Sequence, residues 1–220
     1  MGFKKKFVRV IYADHNASKA VTSMLDILVS ACDSDAFMLN IGAGESKIDP
    51  RMKTLEIEAA PGIDFVGTAT NLPFDSDAVD LIVTQEVLEH VDDPFRAASE
   101  IYRVLKPGGK AFVQLPFIIG YHPCPVDYWR FTEHGIEQLM TQAGFKNIQK
   151  GTAVGPATGA YRVLVEFFAI LFSLPAPKAY RLVKGFFALL LYPLKVFDVV
   201  MNLHPERGRI SGGFFVVCEK

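Results

Sequence analysis

Between Phe37 and Leu115 the chain repeats one pattern: a short apolar run, a turn rich in Gly, Pro or Asp, then a more polar connection. Runs this short and this apolar are strands buried on both faces, which is how parallel sheets read. The spacing predicts strands over 37–41, 52–57, 63–67, 79–83 and 110–115, with two more over 145–154 and 214–218. Helices fall between them. Val21, Met24, Leu25, Leu28 and Val29 recur at helical spacing over 17–32. Pro94 opens a helix in its first turn, and that helix stops near Leu105 at Lys106-Pro107-Gly108-Gly109. Thr132 caps a third helix, which Gly144 ends after Ala143. The expected fold class is α/β, a doubly wound, mostly parallel seven-stranded sheet.

One segment breaks the rhythm. Residues 159–205 carry Phe167-Phe168, Phe186-Phe187 and Leu189-Leu190-Leu191, interrupted by Pro175, Pro177 and Pro193. They account for a mean hydropathy of +0.22, high for a soluble chain. Lys184, Pro193 and Lys195 keep every apolar stretch too short to span a bilayer. An apolar helical insert before the last strand is therefore expected, as a lid over the acceptor site, a dimer surface, or helices in a membrane interface. In the last case Lys178, Arg181, Lys184 and Lys195 would face headgroups. The whole reads as one domain over 1–220: an N-terminal helical segment (1–34), a core (35–158), the insert (159–205) and the final strand (206–220).

The net charge of −1 gives no pull toward nucleic acid. Lys4-Lys5-Lys6 is the one dense basic run, a solvated tail or a weak contact with an anionic surface. Cys32, Cys124 and Cys218 lie far apart without CxxC spacing, so neither a disulfide framework nor a zinc site is expected, and no metal. This cysteine usage and the lack of a signal-peptide pattern point to the cytoplasm, with the inner membrane face as a peripheral location.

Chemistry is concentrated at the strand ends. Leu39-Asn40-Ile41-Gly42-Ala43-Gly44 runs a strand into two glycines, which allow a sharp turn and close approach of a ligand. Glu56 ends the second strand, where a carboxylate can accept hydrogen bonds from ribose hydroxyls. Thr68 and Ala69 follow the third strand, ahead of Leu72-Pro73-Phe74; Thr68 can bond an adenine edge and Ala69 pack on its face. Gln85-Glu86-Val87-Leu88-Glu89-His90 follows the fourth strand, with His90 as a base or a turn-closing residue.

In this order and spacing, residues 37–117 resemble the class I methyltransferases that depend on S-adenosylmethionine (SAM) and have a Rossmann-like fold. The resemblance implies SAM as cofactor. It places Gly42 and Gly44 around the methionine part, Glu56 at the ribose, Thr68 and Ala69 at the adenine, and Gln85 near the methyl donor, with Asn40, Ala43 and Ile57 also among the cofactor-binding residues. The chain departs from the family in two places. Thr68 stands where aspartate is usual, and Ser46, with a short link to Pro50, predicts a reduced first helix. The rival readings are a nucleotide-cofactor oxidoreductase and a non-catalytic SAM-binding or membrane-recruiting module.

After the fifth strand comes a loop dense in Pro, aromatic and charged residues, 116–132. Its phrase resembles a methyltransferase subgroup associated with cell-surface polysaccharide genes. Tyr121, Tyr128, Trp129 and Arg130 are the candidate acceptor contacts, Arg130 either for an anionic group or in a salt bridge within the loop. His122 is the candidate general base, with Asp127 as its orienting partner or substitute. The acceptor expected is a small molecule, a glycan or a lipid-linked compound.

Overall fold

The computed structural model describes residues 18–44 and 47–220; the 4–6 lysine run and Ser46 lie outside the described residues. Helix α1 (Lys19–Ser30) starts at Ser18, whose hydroxyl accepts from Val21 N–H. Strands β1 (Met38–Ile41), β2 (Lys53–Glu56), β3 (Phe65–Val66) and β4 (Val79–Gln85) follow. Among the described residues no helix joins β1 to β2, as the short link to Pro50 predicts. Helix α2 (Pro94–Val104) has Asp93 as its cap, β5 is Leu105–Pro116, and α3 (Glu133–Ala143) runs from the Thr132 cap to Gly144 at φ +108°. Strand β6 is Lys146–Val154 and β7 is Gly213–Glu219. Between them lie α4 (Pro156–Ser173), α5 (Tyr180–Leu190) and the short α6 (Asp198–Met201).

The seven strands form one sheet in the order β3-β2-β1-β4-β5-β7-β6, with β7 antiparallel to both neighbours and every other pairing parallel. The order reverses between β1 and β4, and open α/β sheets bind ligands at the strand C-termini of such a reversal. Alternation along β1 divides its side chains between two cores. Leu39 and Ile41 join Ala97, Ile101, Ile136 and Leu139 of α2 and α3. Met38 joins Val21, Leu25 and Leu28 of α1.

Two boundaries differ from the sequence expectation. Lys106-Pro107-Gly108-Gly109 is not a loop before the strand. Helix α2 passes directly into β5 at Leu105, and the four residues bulge between the pairs Val79↔Leu105 and Leu81↔Lys110. The bulge is held by Lys106 Nζ on Asp80 at 2.8 Å and by Gly108 N–H on the Lys220 carbonyl. The insert begins at Pro156 rather than at 159, directly after β6.

The first turn of α4 is capped from forty residues away. Asp198 accepts from Ala157 N–H at 2.7 Å, from Thr158 N–H at 3.2 Å and from the Thr158 hydroxyl. Gly155 leaves room for it, since a Cβ there would stand 2.3 Å from Asp198 Oδ1. Charged caps with several donors are worth about 1.5–3 kcal/mol. Asp198→Ala should lower the unfolding free energy by about 2 kcal/mol in urea titration; an unchanged midpoint would show that the cap does not hold the insert.

Candidate active site

A cavity of about 460 Å³ opens at the C-terminal ends of β1, β2 and β4. Gly42, Gly44, Glu56, Ile57, Thr68 and Ala69 line it together with Glu86, Val87, His90 and Tyr128. Six of the nine residues expected at the cofactor thus line one cavity. Gly42 has φ +67° and donates to Leu55 O at 2.9 Å, and a Cβ on it would meet Val87 Cγ2 at 2.3 Å. Gly44 has φ +53°, and among the described residues no heavy atom beyond its chain neighbours lies within 4 Å of where its Cβ would be. Its N–H donates to the Glu56 carboxylate, so the turn and the acidic residue are tied together. These residues fit the cofactor implied by the resemblance: a bare backbone turn for the methionine end, and beside it a carboxylate able to accept from the ribose.

The segment expected at the adenine is held from α2. Glu100 accepts from Leu72 N–H at 2.9 Å and pairs with Arg103, whose other nitrogens donate to Phe74 O and Leu72 O. The Leu-Pro-Phe segment is thereby fixed, with Thr68 and Ala69 ahead of it. Thr68 sits 3.3 Å from the Thr70 hydroxyl, while Ala69 is buried.

Three expected cofactor residues lie off the cavity wall. Asn40 points with Met38 toward the α1 side and lines a separate 270 Å³ cavity with Ile48, Asp49 and Met52. Ala43 is buried between its two glycines. Gln85 is buried and donates to Gln114 Oε1 at 3.0 Å, while Gln114 donates to Glu86 at 3.2 Å. Glu86, at φ +56°, is the residue that reaches the cavity.

The acceptor-side loop is stapled onto the turn after β4, Leu88–His90. Tyr128 N–H and Trp129 N–H both donate to Glu89 O, and the Trp129 indole donates to Val91 O at 3.0 Å. Tyr121 is 74% exposed and stands away from the cavity wall, as do Trp129 and Arg130. Arg130 Nη2 donates to Asp127 at 2.6 Å, so its charge is taken up inside the loop. Asp127 also accepts from His122 N–H at 2.8 Å. The Arg130 guanidinium, with the backbone bond and the His122 charge, holds its carboxyl well below the usual range. Asp127 therefore orders the loop and sits 3.3 Å from His122 Nδ1.

His122 does not line the cavity. Its Nε2 lies 3.7 Å from Glu89 Oε1, and His90 Nε2 lies 3.5 Å from the same oxygen. Glu89 is fully buried, and burial pushes its carboxyl up. The Glu89 contact raises His122, against its own desolvation. Sequence reasoning gave Glu89 no role, because a charged residue in a turn reads as solvated. It also passed over Arg162 on α4, which is 8% exposed and, among the described residues, has no hydrogen-bond partner on either terminal nitrogen. An arginine inside an apolar helix was the available signal.

Residues 27–113 match the methyltransferase domain family model. They form a class I, SAM-dependent methyltransferase domain. A ubiquinone/menaquinone biosynthesis C-methyltransferase from Bartonella bacilliformis is 32% identical over 160 residues, covering 69% of this chain and 49% of the relative. The chain spans 29% to 49% of the length of the curated relatives it matches. Among solved structures, phosphoethanolamine N-methyltransferase 2 from Haemonchus contortus, in complex with phosphomonomethylethanolamine and S-adenosylhomocysteine, aligns with TM-score 0.58 at 16% identity. It covers 97% of this chain and 56% of its own. The [4+2]-cyclase SpnF aligns with TM-score 0.57 at 18% identity, covering 94% and 85%. At these identities the structures establish the fold. The family match weighs against the oxidoreductase alternative.

Proposed function

We propose that this chain transfers a methyl group from SAM to a small or lipid-linked acceptor, taken up beside a membrane surface. The observation that carries the reading is the one cavity lined by Gly42, Gly44, Glu56, Thr68 and Ala69. When bound there, SAM supplies an electrophilic methyl on a sulfonium. Glu56 would accept from the ribose hydroxyls, Thr68 bond the adenine edge, and Ile57 and Ala69 pack against its face. The turn at Gly42–Gly44 would take the methionine end. The chain's main contribution is alignment of donor and acceptor, since in-line displacement depends on near-attack geometry. Glu86, His90 and Tyr128 face the acceptor's side of the same cavity.

Titration calorimetry with S-adenosylhomocysteine tests the cofactor reading, and no binding by folded protein would overturn it. Release of S-adenosylhomocysteine with an acceptor panel tests the transfer. The panel should include glycans, lipid-linked sugars and isoprenoid quinone precursors, the last because of the Bartonella relative's name.

The insert supports an apolar or lipid-linked acceptor. Glu166 of α4 packs where a Cβ on Gly120 would be, so the insert adjoins the acceptor loop. Beyond that contact its apolar side chains face outward: Phe167, Phe172, Leu182, Phe186, Val199 and Leu203 are all more than half exposed. A patch this apolar is unusual in water. Among the described residues no helix is long and apolar enough to cross a membrane. A helix pair lying in the interface, with Lys178 and Arg181 toward headgroups, fits both facts better than a closed lid does. The chain should pellet with phosphatidylglycerol-containing vesicles, and Phe167→Asp combined with Leu182→Asp should reduce the pelleted fraction several-fold. Absence of lipid-dependent pelleting together with a dimer in sedimentation velocity would assign the patch to a second copy instead.

A further inference from the structure

We infer that Glu89, His90 and His122 form a binding site for a divalent cation of the zinc type, with its open position toward the donor cavity. Their ligand atoms lie within 4.8 Å of one another. Both Nε2 atoms converge on one oxygen, Glu89 Oε1, from 3.5 and 3.7 Å. Those separations are too long for hydrogen bonds, and among the described residues neither Glu89 carboxylate oxygen has a hydrogen-bond partner although both are buried. Ligands about 2.0–2.1 Å from a tetrahedral zinc stand about 3.4 Å apart, close to the spacing seen.

The other ring nitrogens agree. His90 Nδ1 lies 2.6 Å from Val126 O and His122 Nδ1 lies 3.1 Å from Gly120 O. A carbonyl can only accept, so the His90 Nδ1 carries the proton and, in a neutral ring, the His90 Nε2 presents its lone pair to Glu89. A lone pair aimed at a buried carboxylate repels it unless a cation stands between them. The His122 Nδ1 also lies 3.2 Å from Arg130 Nη2, a donor, and 3.3 Å from Asp127, so its position rather than its tautomer is what places its Nε2 beside Glu89. Anchoring of the distal ring nitrogen on a carbonyl is how metal-ligating histidines are usually held. The rings stand almost perpendicular, at 81°, around the shared oxygen. His90 also lines the donor cavity, so a fourth ligand would enter from that side: water, or an oxygen of the acceptor.

This assignment changes the part expected of His122, from free base to ligand. It was invisible to cysteine spacing, because none of the ligands is a thiolate and the histidines come from two separate strand ends. It stands independently of the methyl-transfer reading, since metal binding and S-adenosylhomocysteine binding are separate titrations.

The test uses the full chain, stripped with chelator, re-equilibrated with zinc chloride and dialysed. Metal analysis should find about one equivalent of zinc, and zinc X-ray absorption should report two imidazoles. Glu89→Gln and His122→Gln should each weaken zinc binding at least ten-fold, with circular dichroism and S-adenosylhomocysteine affinity retained. Zinc retention below stoichiometry in the wild type, fewer than two imidazoles, or undiminished binding in folded variants would overturn the site. If the variants fail to fold, the wild-type absorption spectrum decides.

Discussion

Gly42→Ala should abolish measurable S-adenosylhomocysteine binding and destabilise the chain, whereas Gly44→Ala should leave the fold intact and still lose affinity. At Gly42 two effects add. The backbone sits at φ +67°, which costs an L-residue about 1–2 kcal/mol. The new Cβ would stand 2.3 Å from Val87 Cγ2 and 3.1 Å from Cγ1, so one of them must move. Gly42 is fastened by its N–H to Leu55 O, which leaves Val87 to yield. Val87 is a cavity wall and leads into the Leu88–His90 turn, so its displacement reshapes the acceptor side as well. A stability loss of about 2–4 kcal/mol follows from strain plus overpacking. At Gly44 the strain remains, φ +53°, but among the described residues nothing beyond its chain neighbours lies within 4 Å of the new methyl. A ligand seated on the turn would meet it. Calorimetry and thermal melts on both variants separate the cases. If Gly44→Ala bound S-adenosylhomocysteine like the wild type, the methionine end could not sit on this turn.

The sequence announces most of the sheet because its stop signals are local. Gly42 after β1, Asp93-Pro94 before α2, and Thr132 with Gly144 around α3 each act through their own backbone, without a distant partner. The Lys106–Gly109 bulge is different. It exists because Lys106 finds Asp80 and Gly108 finds the chain end, contacts that no window of sequence contains. The same limit explains Asn40 and Gln85. Both lie on strands covered on both faces, where apolar residues do not alternate with polar ones and the pattern does not say which face holds the cavity. Glu86 reaches the site through a left-handed backbone that neighbouring residue types do not advertise. Glu89 was hidden for a related reason: its burial is imposed by the loop 116–132 folding back on the turn, with Tyr128 and Trp129 bonded to its carbonyl.

Arg162→Met should make the protein more stable. Arg162 is 8% exposed, and among the described residues neither terminal nitrogen has a hydrogen-bond partner. Burial pushes its pKa well below the ordinary arginine value, down to about 10, opposed only in part by the charge of Glu86. Because the folded value is the lower one, the penalty on the charged form is fully present below about pH 10 and fades only as pH rises above it toward the ordinary arginine range. A shift of that size corresponds to a cost on the order of 3 kcal/mol at neutral pH. Methionine matches the length of the apolar stem and removes the buried charge, and such replacements are often stabilising. Glu86 keeps its opening to the cavity and its bond from Gln114, so it is not stranded. Urea unfolding should show a gain of about 1–3 kcal/mol. Arg162 is not among the residues that line the cavity, so S-adenosylhomocysteine affinity should stay unchanged. A destabilised Arg162→Met would mean that the guanidinium is compensated within the fold.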